Sequence, residues 1–157
     1  MAGPIVLGYG RGMEAPYHHI ACCLDRSEAS KGVLREAIRL RRLGAGRLSI
    51  VHAFEWGILF GAYPGVAATD PDVVLLDSKK WLDGVVAATP ASEGVILDGY
   101  PAAAVCEWAA GAGVDLLIAS SSRGLVKRVL LGSFAGYLAR HAPCSILLTR
   151  PGVVEPP

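Results

Sequence analysis

An excess of charge of either sign is nearly absent from this 157-residue chain: fifteen Lys and Arg stand against fourteen Asp and Glu, a formal net charge of +1. No broad positive field is available to hold a polyanion, so nucleic acid is not an expected partner. Cysteine is sparse and unpatterned. Cys22, Cys23, Cys106 and Cys144 form no CxxC pair and have no His at zinc-ligand spacing, and the first two sit side by side in an apolar run. They read as buried, reduced thiols rather than metal ligands. Long hydrophobic runs are missing too. No stretch approaches the ~18 apolar residues that would cross a bilayer, because helix-sized segments carry charge throughout. Residues 1–17, with Gly and Pro scattered through them, lack the basic start and apolar core of a secretory signal. The expectation is a cytoplasmic chain without membrane contact.

What is present is apolar mass: 52% of the residues are hydrophobic and 18% charged, enough for one substantial core in a length too short for two comfortable domains. Ile20-Ala21-Cys22-Cys23, within residues 19–24, suits a strand covered on both faces, and Asp25 ends it. Ser27 is placed to cap a helix that buries Val33, Leu34, Ala37 and Ile38 and turns Arg35, Glu36, Arg39 and Arg42 to water, until Gly44-Ala45-Gly46 stops it. Residues 47–54 carry Leu48, Ile50, Val51 and Ala53 as a second strand; the Gly- and aromatic-rich residues 55–69 read as a loop able to serve as a lid. Asp70-Pro71 opens a second helix through Val74, Leu75, Leu82 and Val85. A third strand over 94–97 leads into a helix opened by Pro101 and ended by Gly111 and Gly113. A fourth strand over 115–120, a helix over 133–141 and an apolar strand over 144–148 follow.

Strands and helices that alternate with helix-length connections imply parallel strands joined by right-handed crossovers. The predicted fold is α/β: a doubly wound, Rossmann-like three-layer sandwich with a five-stranded parallel sheet. Residues 1–17 read as a flexible N-terminal extension, 18–150 as the domain and 151–157 as a C-terminal tail, with no internal repeat or low-complexity tract. In such a sheet, ligands settle beyond the carboxyl ends of the strands near the switch in strand order, which directs attention to Asp25, Ala53 and residues 120–124.

Ser120-Ser121-Ser122-Arg123-Gly124, followed after seven residues by Gly132-Ser133-Phe134, reads as a strand, a small-residue turn and a helix start. Small residues let backbone N–H groups approach an anion, and the first amides of the helix add partial positive charge, so a phosphate group is the expected guest. Ser133 has two roles open to it, capping its own helix or contacting phosphate. Arg123, Lys127 and Arg128 stand beside the turn, either complementing a phosphate or simply solvated. Asp25 is either a turn aspartate or an acceptor for a ribose hydroxyl or an adenine amino group.

Several segments then resemble one family. Leu24-Asp25-Arg26-Ser27-Glu28-Ala29-Ser30, Val51-His52-Ala53, Tyr100-Pro101-Ala102 and Gly113-Val114-Asp115-Leu116-Leu117-Ile118 are similar to junctions of the universal stress proteins. The stretch from Arg128-Val129-Leu130-Leu131-Gly132-Ser133 to Arg140-His141-Ala142-Pro143-Cys144-Ser145-Ile146-Leu147-Leu148 resembles that family's C-terminal signature. The resemblance spans residues 18–150. It implies ATP or another adenine nucleotide as ligand, with Mg²⁺ as a possible companion of ATP. It implies adenine and ribose contacts at Asp25, Ser27 and Ala53, and phosphate contacts at Ser121, Arg123, Gly124, Gly132, Ser133 and Phe134, the last through its amide. It also implies a homodimer paired through the last strand, residues 144–148, from Cys144 to Leu148. Two departures bear on the phosphate end. The ATP-binding pattern of the family is Gly, two residues, Gly, nine residues, then Gly-Ser or Gly-Thr; here Ser121 replaces the first Gly, and the spacer between Gly124 and Gly132 has seven residues. Serine restricts the φ > 0 conformations that glycine reaches freely.

Three functions compete. The first is an adenine-nucleotide-binding regulator of the stress response, homodimeric and acting through an unknown protein partner. The second is a homodimeric interaction module that binds no nucleotide because its crevice has closed, a reading favoured by Ser121 and the short spacer. The third is a slow ATPase, disfavoured because no GxxxxGK[ST] loop or paired carboxylates accompany the phosphate residues. Gly8-Tyr9-Gly10-Arg11-Gly12 has no strand before it and no helix directly after it, so it reads as tail. His18, His19, His52 and His141 have no metal partners in sequence. Trp56, Phe60 and Tyr63 sit in the long loop, and Trp81 and Trp108 read as helix-core residues.

Overall fold

A computed structural model describes residues 16–44, 46–54, 70–121 and 131–150. The 55–69 loop and Ser122, Arg123, Gly124, Lys127 and Arg128 lie outside the described residues, as do Gly8 to Gly12. Among the described residues the chain alternates β1 (His19–Cys23), α1 (Ala29–Arg42), β2 (Arg47–Phe54), α2 (Pro71–Ala87), β3 (Glu93–Asp98), α3 (Pro101–Ala112), β4 (Leu116–Ser120), α4 (Ser133–His141) and β5 (Ser145–Thr149). All the strand pairs are parallel, in the order β3-β2-β1-β4-β5. This is the doubly wound sandwich expected from the alternation.

The order explains the composition of each strand. β1 lies at the centre, with Ile20 beside Leu48 of β2 and Leu116 of β4, so helices cover both its faces and all five of its residues are buried. Two cores result. Ile20, Cys22, Leu48, Ile50, Leu116 and Ile118 pack with Val33 and Ala37 of α1 and Leu82 of α2. Ala21, Cys23, Val51, Leu117 and Ala119 pack with Val105 and Ala109 of α3 and Leu138 of α4. Successive residues of one strand feed opposite cores, the two-residue alternation of an extended chain. Trp81 joins the first core and Trp108 the second.

Helix starts follow local chemistry, with one departure from expectation. Asp70 accepts the amide of Asp72 at 3.0 Å and Pro71 takes the first helical position of α2, as its sequence dictates. Ser27, by contrast, does not cap α1. The cap is Glu28 with no side-chain bond, because the Ser27 hydroxyl donates to Asp25 instead. Ser133 does not cap α4 either: Gly132 holds the cap position and Ser133 is the first helical residue. Of the two glycines expected to end α3, Gly111 lies inside the helix and Gly113 closes it at φ +67, a left-handed conformation that side chains disfavour. Gly94 matters for a different reason. A Cβ there would stand 2.8 Å from Leu82 Cγ, so glycine is what lets α2 lie close against β3.

Candidate functional site

The strand order reverses between β1 and β4: the chain steps outward from β1 through β2 to β3, then returns to the other side of β1 for β4 and β5. Beyond the carboxyl ends of these strands lies a cavity of about 400 Å³. Its floor is apolar, formed by Cys23, Val51, Ala53, Val105 and Ala119. Its rim carries Asp25, Ser30, Ser120 and Ser121 on one side and the opening residues of α3 and α4 on the other.

Asp25 leaves the end of β1 with its carboxylate already oriented. Oδ1 accepts the backbone amide of Ser27 at 3.0 Å, the Ser27 hydroxyl, and the Ser30 hydroxyl at 2.7 Å. Ser30 Oγ in turn accepts the Asp25 amide at 2.9 Å. A short side chain followed by a hydroxyl in the first turn of α1 is thus tied back onto its own backbone, and the carboxylate is held at the cavity wall.

The opposite wall is the start of α4. Helix geometry leaves the first amides without intrahelical partners, and the first bond within this turn is that of Gly136 N–H to Gly132 O at 2.8 Å. Ser133, Phe134 and Ala135, which precede it, all line the cavity. The turn at the end of β4 meets this helix directly: the Ser121 carbonyl accepts the Gly132 amide at 2.9 Å, while the Ser121 amide donates to Thr149 O of β5 at 2.8 Å. Partial positive charge at a helix start favours an anion. The cavity therefore has an acceptor on the β1 side, an apolar floor and donors on the α4 side.

Of the residues expected at the site, Asp25, Ala53, Ser121, Gly132, Ser133 and Phe134 line one cavity. Ser27 stands behind Asp25 and is not among the lining residues. Arg123 and Gly124 are outside the described residues. The cavity also contains Ser120, within the segment singled out in the sequence, and side chains that the residue-by-residue reading missed: Ser30, Tyr100, Ala102 and Val105. Ser30 had a legible signal, a hydroxyl five residues after Asp25 and so within one turn of the helix start. Tyr100, Ala102 and Val105 had only their place after β3, where a helix opens toward the carboxyl end of the sheet.

The cysteines are free. Cys22 and Cys23 are buried as expected, whereas Cys106 and Cys144 are only half-buried. Burial pushes the Cys23 thiol up to about 12, with Cys106 and Cys144 adding to the shift, so the sulfur at the cavity floor is a neutral, weakly nucleophilic surface. Among the described residues no three His, Cys, Asp or Glu side chains gather to hold a metal ion, and no helix is long and apolar enough to cross a membrane.

A parallel, doubly wound sheet with a crevice at its switch point places the chain among the doubly wound α/β proteins. It belongs to the universal stress protein family, whose model matches residues 16–150. A universal stress protein of Synechocystis sp. is 25% identical over 162 residues, covering 92% of this chain and 99% of that protein. Among solved structures, universal stress protein UspA from Lactobacillus plantarum is 24% identical, with a TM-score of 0.62 and coverage of 85% of this chain and 98% of its own. A universal stress protein in complex with cAMP is 24% identical, with a TM-score of 0.54 and coverage of 85% and 96%. An Arabidopsis thaliana member of the family with AMP bound is 15% identical, with a TM-score of 0.57 and coverage of 88% and 95%.

Proposed function

We propose that this chain binds an adenine nucleotide in the switch-point cavity and acts as a homodimeric, non-catalytic regulator whose protein partner responds to occupancy. The observation that carries the reading is the cavity of about 400 Å³ that both Asp25 and the start of α4 line. A volume of that size suits a small-molecule ligand, and its open state favours ligand binding over an interaction module with a closed crevice. Asp25 is the acceptor for a ribose hydroxyl or an adenine amino group, Ala53 and its apolar neighbours bed the base, and Gly132, Ser133 and Phe134 receive phosphate. Arg123 and Gly124 belong to the same phosphate contact set through the family pattern. The cyclic AMP and AMP complexes of other universal stress proteins support adenine as the base. Mg²⁺ enters as the companion of ATP rather than through a protein-built metal site. Asp25 is the one carboxylate lining the cavity among the described residues, and its bonds to Ser27 and Ser30 suit it to orienting a ligand rather than to acting as a hydrolytic base.

Titration calorimetry with ATP, with and without Mg²⁺, and then with AMP and cyclic AMP tests this reading, using Gly132→Val to crowd the phosphate end. Saturable heat that the substitution abolishes is the expected result and ranks the nucleotides. No heat from any of them, on protein freed of co-purifying ligand, would replace nucleotide sensing with the interaction-module reading.

A further inference from the structure

At the other end of the sheet, side chains from three strands form a hydrogen-bond chain that nucleotide binding does not use. His19 opens β1 with only 5% of its surface exposed, and Ser49 of β2 is fully buried. His19 Nδ1 lies 3.1 Å from the carbonyl oxygen of Ala112, the last residue of α3, and Nε2 lies 2.7 Å from Ser49 Oγ. Ser49 Oγ donates to Glu93 Oε1 of β3 at 2.7 Å, and Arg47 Nη2 reaches the same oxygen at 2.6 Å. The other groups around the ring are the Trp108 edge at 6.0 Å and Asp115, whose carboxylate accepts the backbone amides of His19 at 2.9 Å and His18 at 2.7 Å.

Counting protons shows that these contacts cannot all form around a neutral imidazole. The Ala112 carbonyl only accepts, so Nδ1 must carry a hydrogen. Ser49 has one hydroxyl proton, and it points to Glu93. The Glu93 carboxyl is held below its ordinary value, first by that hydroxyl and then by Arg47, against the opposing effect of burial; it is therefore an anion that only accepts. Ser49 Oγ then offers Nε2 a lone pair, and Nε2 must donate as well. Both ring nitrogens carry hydrogen only in the imidazolium.

We infer that His19 is a proton-operated fastener of the sheet: as an imidazolium it donates to Ala112 and Ser49, and on losing the Nε2 proton to water it accepts the Ser49 hydroxyl as a donor, which turns from Glu93 and leaves that carboxylate to Arg47 alone. The chain Ala112–His19–Ser49–Glu93–Arg47 then breaks at its third link, at the start of edge strand β3. The fastened state has two pH limits. Acid removes it by protonating Glu93, whose lowered value means that its contribution is present above the ordinary carboxylate range and is lost as pH falls through the folded-state value. Base removes it by taking the second proton from the ring. Between them the fastener joins α3 and three strands. The inference is independent of what occupies the cavity.

Long-range ¹H–¹⁵N correlation spectra of the imidazole nitrogens in the full chain, followed between pH 5 and 8, test it. The expected record is a His19 ring with both nitrogens protonated at the acid end and a single Nδ1–H tautomer at the other. Glu93→Gln should move that transition down by about half a pH unit or more, because the ring loses its anion. Ser49→Ala supplies a second variant with the same expected direction. A His19 ring that carries one hydrogen at every pH overturns the inference, and so does a transition that neither substitution moves. The first of these readouts uses the unsubstituted protein, so misfolding of a variant does not leave the question open.

Discussion

Asp25 is the residue on which the proposed nucleotide site turns. Its carboxylate accepts three donors from Ser27 and Ser30, which fix its direction but also make it part of the local fold. The two contributions separate by substitution. Asp25→Ala is expected to weaken nucleotide binding by about tenfold to a hundredfold, since a hydrogen bond to a charged group contributes roughly 1.5–3 kcal/mol, and to destabilise the chain by about 1–2 kcal/mol through its stranded donors. Ser30→Ala keeps the charge and loosens its aim, so its binding loss should be the smaller. Calorimetry and urea melts of both variants check this, and equal binding losses would count against an orienting role for Ser30. Asp25 was legible in the sequence because a carboxylate follows a buried run where a strand must end. The role of Ser27 was not, because a serine before a helix offers its hydroxyl equally to the helix amides and to a preceding aspartate, and only the path of the turn chooses.

At the scale of elements, glycine position separates what pattern can and cannot give. Gly111 and Gly113 look alike in sequence as helix terminators, yet the first is helical with nothing within 4 Å of an added Cβ, while the second sits at φ +67. Gly111→Ala is expected to stabilise by about 0.5–1 kcal/mol by removing backbone freedom from the unfolded chain. Gly113→Ala is expected to destabilise by about 1 kcal/mol because Cβ strains the left-handed cap. Paired thermal melts read the opposite signs, and a shift of one sign in both would mean that α3 ends elsewhere. Strands and helices themselves were legible because their burial periods differ. Cap identity was not, since Ser133 and Gly132 are both suitable caps and the bond that the Gly132 amide donates to the Ser121 carbonyl selects the glycine.

At the scale of the whole molecule, the sheet has two edges, β3 and β5. Alternation in the sequence foretold parallel strands and the crevice, but strand order is a property of the crossovers, and it is the order that puts β5 outside. Among the described residues β5 pairs with β4 alone, and its Ile146, Leu147 and Leu148 are half-buried. Their side chains pack partly onto both cores, Leu147 on one and Ile146 and Leu148 on the other. An apolar strand with one unpaired row of amides and carbonyls is a template for another strand, and pairing with a second copy satisfies that row while covering what the cores leave exposed. This edge is what supports the homodimer proposed above. Light scattering at micromolar concentration should give twice the chain mass. Leu148→Lys, which leaves the backbone of β5 intact but sets an ammonium at the seam, should shift it toward the monomer while the far-ultraviolet dichroism stays that of an α/β protein. A monomer mass for the unsubstituted chain would remove β5 as the dimer seam and leave the proposed nucleotide site to be judged by its own titration.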